Sequence, residues 1–75
     1  MNANELFLQE QLEWTKKRMA LYDAIENKLR EMREIAEEAA DNRATDADRL
    51  HLQQQIEEKQ TELEELQSEL ETIVH

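Results

Sequence analysis

The sequence predicts an all-α protein: two long helices in an antiparallel coiled-coil hairpin, expected to dimerise into a four-helix bundle. Three observations carry that prediction. The chain holds no Gly and no Pro, so the tight hairpin turns of an all-β fold, which take their positive φ cheaply from Gly, are disfavoured. Glu, Leu, Gln and Ala dominate its 75 residues, the composition of long helices. Apolar residues recur at helical spacing in two stretches parted by one polar break. The whole chain, 1–75, reads as a single helical-hairpin domain with a helix at 4–40, a loop at 41–45 and a helix at 46–74.

No helix breaker occurs in the first stretch. Projected at 100° per residue, Phe7, Trp14, Tyr22, Ile25, Leu29, Met32, Ala36 and Ala39 fall on one stripe. Of these, Tyr22, Ile25, Leu29, Met32 and Ala36 are the expected hairpin core. Glu13/Lys17 and Glu26/Arg30 stand at i,i+4 with the acid first, the orientation that supports a helix.

The polar run Asp41-Asn42-Arg43-Ala44 ends that stripe. Asn42 is the residue there best suited to a left-handed helix cap. Thr45 followed by Asp48 reads as a capping box opening the second helix. Its apolar residues Leu52, Ile56, Leu63, Leu66, Leu70 and Ile73 form a heptad seam, with a = Ile56, Leu63, Leu70 and d = Leu52, Leu66, Ile73. Lys59 takes the remaining d position and Arg49 the preceding a position. A lysine in a seam lowers stability but can specify register.

The helices differ in length. A turn near residue 43 pairs His75 with about Gln11, so the first ten or so residues overhang at ~1.5 Å per residue. That end carries Leu6, Phe7 and Leu8. Leu8, Leu12 and Met19 form a second stripe about 100° from the first, and one partner helix cannot cover both. A second copy is therefore expected on Leu6, Phe7, Leu8, Leu12, Trp14 and Met19, in a symmetric dimer. So short a chain, with no Cys for a disulfide, needs such a supplement to its core.

Nineteen acids against nine bases leave a formal net charge of −10 at pH 7. Glu57, Glu58, Glu62, Glu64, Glu65, Glu69 and Glu71 crowd the b, c and g positions of the second helix. They are expected as a solvated face that repels phosphate, which argues against direct nucleic-acid binding by Lys16-Lys17-Arg18. Mutual repulsion there predicts rising stability as pH falls toward about 4. Interfacial helices favour Lys and Arg on their polar face, so a membrane role is not expected. His51, with Asp48 and Gln55 nearby, and the terminal His75 are too few for a structural metal site. Phosphate loops and nucleophile elbows need glycine. The expectation is no enzyme, no catalytic or metal residues and no cofactor. With neither a signal core nor a spanning run, the expected location is cytoplasmic.

One segment resembles a known family. Residues 29–42, Leu-Arg-Glu-Met-Arg-Glu-Ile-Ala-Glu-Glu-Ala-Ala-Asp-Asn, and 45–56, Thr-Asp-Ala-Asp-Arg-Leu-His-Leu-Gln-Gln-Gln-Ile, resemble a stretch of bacterial flagellin. There a long helix ends, a short polar turn follows, and a helix opens with an Asp-Arg-x-x-Leu-Gln-x-Glu-Ile pattern. The matching positions are Leu29, Met32, Arg33, Glu34, Ala36, Ala39, Ala40, Asp48, Arg49, Leu52, Gln53 and Ile56. Gln55 stands where the family has Glu, and Lys59 where it has Leu. The resemblance implies a bacterial helix–turn–helix of the flagellin inner domain, without the terminal segments that flagellins use to polymerise.

The expected function is a non-enzymatic helical protein–protein interaction module that self-associates through its apolar N-terminal overhang. The competing expectation is an acidic regulator, inhibitor or chaperone-like adaptor on a basic surface of a nucleic-acid-binding or secretion/flagellar protein.

Overall fold

The computed structural model describes residues 2–74; the pairing of His75 with Gln11 and the place of His75 among metal-ligand candidates lie outside them. Two helices account for the described chain: α1, Ala3–Ala40, and α2, Asp46–Val74. Their principal extents are 63 × 16 × 14 Å and the radius of gyration is 18.4 Å. A compact chain of this length has a radius of about 11 Å, so the molecule is a rod two helices thick.

Each helix opens on side-chain caps. The Asn2 side chain accepts from the Glu5 N–H at 2.8 Å and donates to the Glu5 carboxylate at 3.3 Å. At α2 the Thr45 hydroxyl accepts from the Asp48 N–H at 3.1 Å, and the Asp48 carboxylate accepts from the Thr45 N–H at 3.0 Å. Two otherwise orphaned donors are satisfied reciprocally.

The turn differs from the left-handed cap expected at Asn42. No non-glycine residue among those described has positive φ. Asp41 leaves the helix with φ −64° and ψ 130°. Its carboxylate then accepts from the Arg43 N–H at 2.8 Å and from the guanidinium at 2.9 and 3.1 Å. The Ala44 N–H closes the turn on the Asp41 carbonyl at 3.0 Å. Asp41 thus replaces the strained cap with an Asx-type turn, the use of aspartate that turns favour. From the far side, Arg49 Nε donates to the Ala39 carbonyl at 3.2 Å, satisfying a terminal acceptor of α1.

The helices run antiparallel and meet along a 4-3 spaced seam. On α1 the half-buried residues are Trp14, Arg18, Leu21, Ile25, Lys28, Met32, Ile35 and Ala39, with Thr15, Ala24 and Glu31 beside them. On α2 the seam is Leu52, Ile56, Lys59, Leu63, Leu66, Leu70 and Ile73, and Leu52, at 8% exposure, is the one buried apolar residue among those described.

Part of the expected core stands outside this seam. Tyr22 and Leu29 are each 51% exposed and Ala36 is exposed; Leu21, Lys28 and Ile35, one residue earlier, take the inward places. Spacing does not separate the two sets, since Tyr22, Leu29 and Ala36 repeat every seven residues just as Leu21, Lys28 and Ile35 do. The inward set is the one whose partners lie on α2, as in the Lys28–Glu62 contact across the helices. Lys28 and Arg18 sit on the true seam, so its polarity hides it, while the apolar Tyr22 and Leu29 advertise the wrong one.

Candidate functional site

The middle of the seam holds an ion quartet. Lys28 Nζ lies 2.6 Å from Glu62 across the helices and 3.6 Å from Glu31 on its own helix. Lys59 Nζ lies 3.1 Å from Glu31 across and 3.8 Å from Glu62 on its own helix. The two helices contribute the same element, Lys-x-x-Glu, in opposite directions, so each ammonium meets both carboxylates. Glu31 Oε2 and Glu62 Oε2 are closed off from solvent without a well-aligned hydrogen bond.

The titration of these groups follows. The Lys59 ammonium, aided by Lys28, holds the Glu31 carboxyl below its ordinary value, and Lys28 does the same for Glu62. Lys28 is raised in turn, chiefly by its bond to Glu62. Glu62 therefore leaves the acidic face to which sequence assigned it. For Glu62, protonation breaks a native contact, so the stabilisation expected at low pH does not extend to it.

At the open end of the rod, the Trp14 indole N–H donates to the Ile73 carbonyl at 2.8 Å. The Arg18 guanidinium lies 4.4 Å from the centre of the same ring, a cation–π placement. Trp14 belongs to the hairpin seam, then, and is removed from the expected interface group. Its contact also places the described end of α2 beside the fourth turn of α1, where Glu10 and Glu13 border a groove with Ile73, and α1 runs on past it toward Ala3.

The other expected interface residues are exposed. Leu6 is 51% exposed, Phe7 58%, Leu8 64%, Leu12 54% and Met19 59%. Tyr22 and Leu29 join them, as does Leu50 at the turn end of α2. On α2, Glu57, Glu58, Glu64, Glu65, Glu69 and Glu71 are exposed. His51 contacts the Gln55 amide at 3.3 Å, and no metal-binding cluster occurs among the described residues. Of the two helical ion pairs expected, Glu26–Arg30 forms at 3.4 Å.

The two flanks of the hairpin differ in chemistry. In an antiparallel pair the g positions of both helices share one side and the e positions the other. The g flank carries Lys17, Glu31, Glu38, Glu62 and Glu69, and the open grooves between the helices lie there, one of them lined by Lys17, Ala20, Leu21, Glu69, Thr72 and Ile73. The e flank carries Tyr22, Leu29 and Ala36 from α1 with Gln53, Gln60 and Gln67 from α2, all exposed and none charged.

Sequence reasoning missed Lys28 and Glu31. The signal lies in the spacing: Lys59 falls on the seam, and Lys28-x-x-Glu31 repeats the spacing of Lys59-x-x-Glu62. No family model, curated protein or solved structure matches the chain. Among the described residues no helix is long and apolar enough to cross a membrane.

Proposed function

We propose that the protein is a non-enzymatic helical interaction module that self-associates, with a homodimer, in the form of a four-helix bundle, as its first assembly. One observation carries this reading: α1 exposes Leu6, Phe7, Leu8, Leu12 and Met19 along its N-terminal half, mostly beyond the reach of α2. Fully covering an aliphatic or aromatic side chain contributes about 1.5–3 kcal/mol. A micromolar dimer requires about 8 kcal/mol. Partial cover of four or five such residues per subunit is sufficient in scale, even after the cost of association.

Light scattering on the full chain at about 100 µM tests it, since micromolar affinity fills the dimer at that concentration. The expected mass is twice the 9.0 kDa of the chain, and a monomer overturns the reading. A second reading rests on the exposed acids Glu57, Glu58, Glu64, Glu65, Glu69 and Glu71: capture of a basic partner surface. Salt separates the two, because capture by charge weakens steeply as ionic strength rises and apolar self-association does not. Kinship of residues 29–56 with flagellin belongs to that second reading, where a flagellar or secretion protein is the partner.

A further inference from the structure

Beyond the hairpin seam, α1 carries a second one. Leu8, Leu12, Met19, Tyr22 and Leu29 follow the same 4-3 rhythm, with Thr15 between Leu12 and Met19, Glu26 between Tyr22 and Leu29, and then Arg33, Ala36 and Ala40. These are the e and b positions of α1, rotated from the a and d positions that face α2. All five large apolar residues are at least half exposed. A 4-3 repeat kept over so many turns is what a partner helix of equal length requires. In α2 the corresponding positions are Gln53, Gln60 and Gln67 at e and Leu50, Glu57, Glu64 and Glu71 at b, apolar only at Leu50 beside the turn, so only α1 carries a sustained second seam.

We propose that the partner is a second copy of α1, antiparallel, with Leu12 of each copy facing Leu29 of the other and Met19 facing Tyr22. This rests on the self-association reading and specifies its interface. Three features select the occupant and register. First, that register lays α1 along almost the whole of its twin, so the overhang past α2 is covered by the turn-side half of the other copy. Second, the charges are complementary. Arg33 falls opposite Leu8, one turn from Glu5 of the twin, whereas a parallel pairing stacks Glu5, Glu26 and Arg33 each upon itself. Third, the uncharged e flank brings Gln67 of the two α2 helices toward one another, so that the C-terminal halves of the α2 helices close a four-helix bundle with the charged g flanks outward.

Another antiparallel register competes: Leu29 on Leu29, with Glu26 against Arg33. It forms two exposed ion pairs but leaves Leu8 and Leu12 uncovered. Exposed ion pairs contribute little, and burial of apolar side chains outweighs them. Apolar cover therefore selects the longer overlap, in which Glu26 faces Thr15 and is the weak point of the seam.

The cysteine-free chain allows a direct test by single-cysteine variants under an oxidising glutathione buffer. Leu12→Cys mixed with Leu29→Cys is expected to give a disulfide-linked dimer. Each variant alone is expected to give none, because its own twin position lies roughly 25 Å away at about 1.5 Å per residue. Both sites are exposed, so helical circular dichroism is expected to stay unchanged. Leu12→Cys crosslinking to itself, or Leu29→Cys to itself, overturns the proposal in favour of a parallel pairing or the Leu29-centred register. Crosslinking of Phe7→Cys alone, or of none of the three, in a protein that light scattering shows to be dimeric, overturns this interface while self-association stands. A monomer overturns both. As an independent measurement, Glu26→Leu is expected to tighten the dimer about tenfold, by the cover of one further apolar side chain. Unchanged or weaker association contradicts the register.

Discussion

The ammonium of Lys28 lies 2.6 Å from the carboxylate of Glu62 on the opposite helix, and Lys59 reaches Glu31 by the mirror-related contact at 3.1 Å. Two lysines thus occupy seam positions where leucine would add more burial. Both cross-helix contacts depend on register. A slip of one heptad in one direction sets Lys28 against Gln55 and Lys59 against Ala24, leaving each lysine only the acid three residues on in its own helix. The opposite slip offers Glu69 and Glu38.

Reversing one sign tests this. Lys28→Glu puts a third carboxylate beside Glu31 and Glu62 and is expected to lower the melting temperature by several degrees. Reversing all four, with Lys28→Glu, Glu31→Lys, Lys59→Glu and Glu62→Lys, keeps the sign of every contact and is expected to recover most of that loss. Additive loss across the four substitutions would show that the quartet does not act as a unit.

Acid should destabilise the fold through specific groups. Glu31 and Glu62 are lowered by the lysines, Asp41 by Arg43, and Asp48 by the Thr45 N–H and hydroxyl. A lowered folded value means that the folded state holds its carboxylate more readily than the unfolded chain. The stability it contributes is complete above the ordinary values, 4.5 for Glu and 3.8 for Asp, and is lost as pH falls through the lowered ones. Melting temperature is therefore expected to fall below about pH 4.5, and to fall less steeply in Glu31→Gln/Glu62→Gln. A rise on acidification would mean that repulsion among the exposed carboxylates of α2 dominates.

Leucines on the two seams of this rod should respond oppositely to truncation. Leu52→Ala removes the one buried apolar side chain among the described residues and is expected to cost about 2–3 kcal/mol in urea unfolding. Leu29→Ala, on the exposed e flank, is expected to leave hairpin stability within about 0.5 kcal/mol, since alanine is the better helix former. Its effect is expected on association instead. Equal costs for the two, at a concentration where the chain is monomeric, would refute the seam assignment.

Trp14→Phe keeps an aromatic ring beneath Arg18 but removes the donor to the Ile73 carbonyl. The expected loss is about 1 kcal/mol, the net value of one hydrogen bond. As the single tryptophan, Trp14 also reports on the docking of the α2 end: its emission should move to the red before the helical signal is lost, as that end frays first. Simultaneous change of both signals would make the end part of the global cooperative unit.

At the α2 N-terminus, Thr45→Ala is expected to cost about 1 kcal/mol, because it leaves the Asp48 N–H without its hydroxyl acceptor. Thr45→Ser keeps the acceptor and should cost little by comparison. Urea titration distinguishes them.

Composition and periodicity alone determined that the chain is helical, where its polar break falls, how α2 opens and which residues of α2 face inward. They did so because those features are local: a capping box spans four residues, and the apolar seam of α2 is interrupted only at Lys59. They also determined that α1 outreaches α2, which needs only lengths. What tertiary structure decided was the inward face of α1, where Tyr22 and Leu29 are apolar yet exposed while Lys28 and Arg18 are charged yet half-buried. Which of two candidate stripes meets a partner depends on the partner's own repeat and on where its counter-charges fall. Glu62 and the Ile73 carbonyl are distant in sequence from Lys28 and Trp14, so their role in choosing that face exists only once the helices are side by side. The face left over, Leu8 through Leu29, stays exposed in the hairpin.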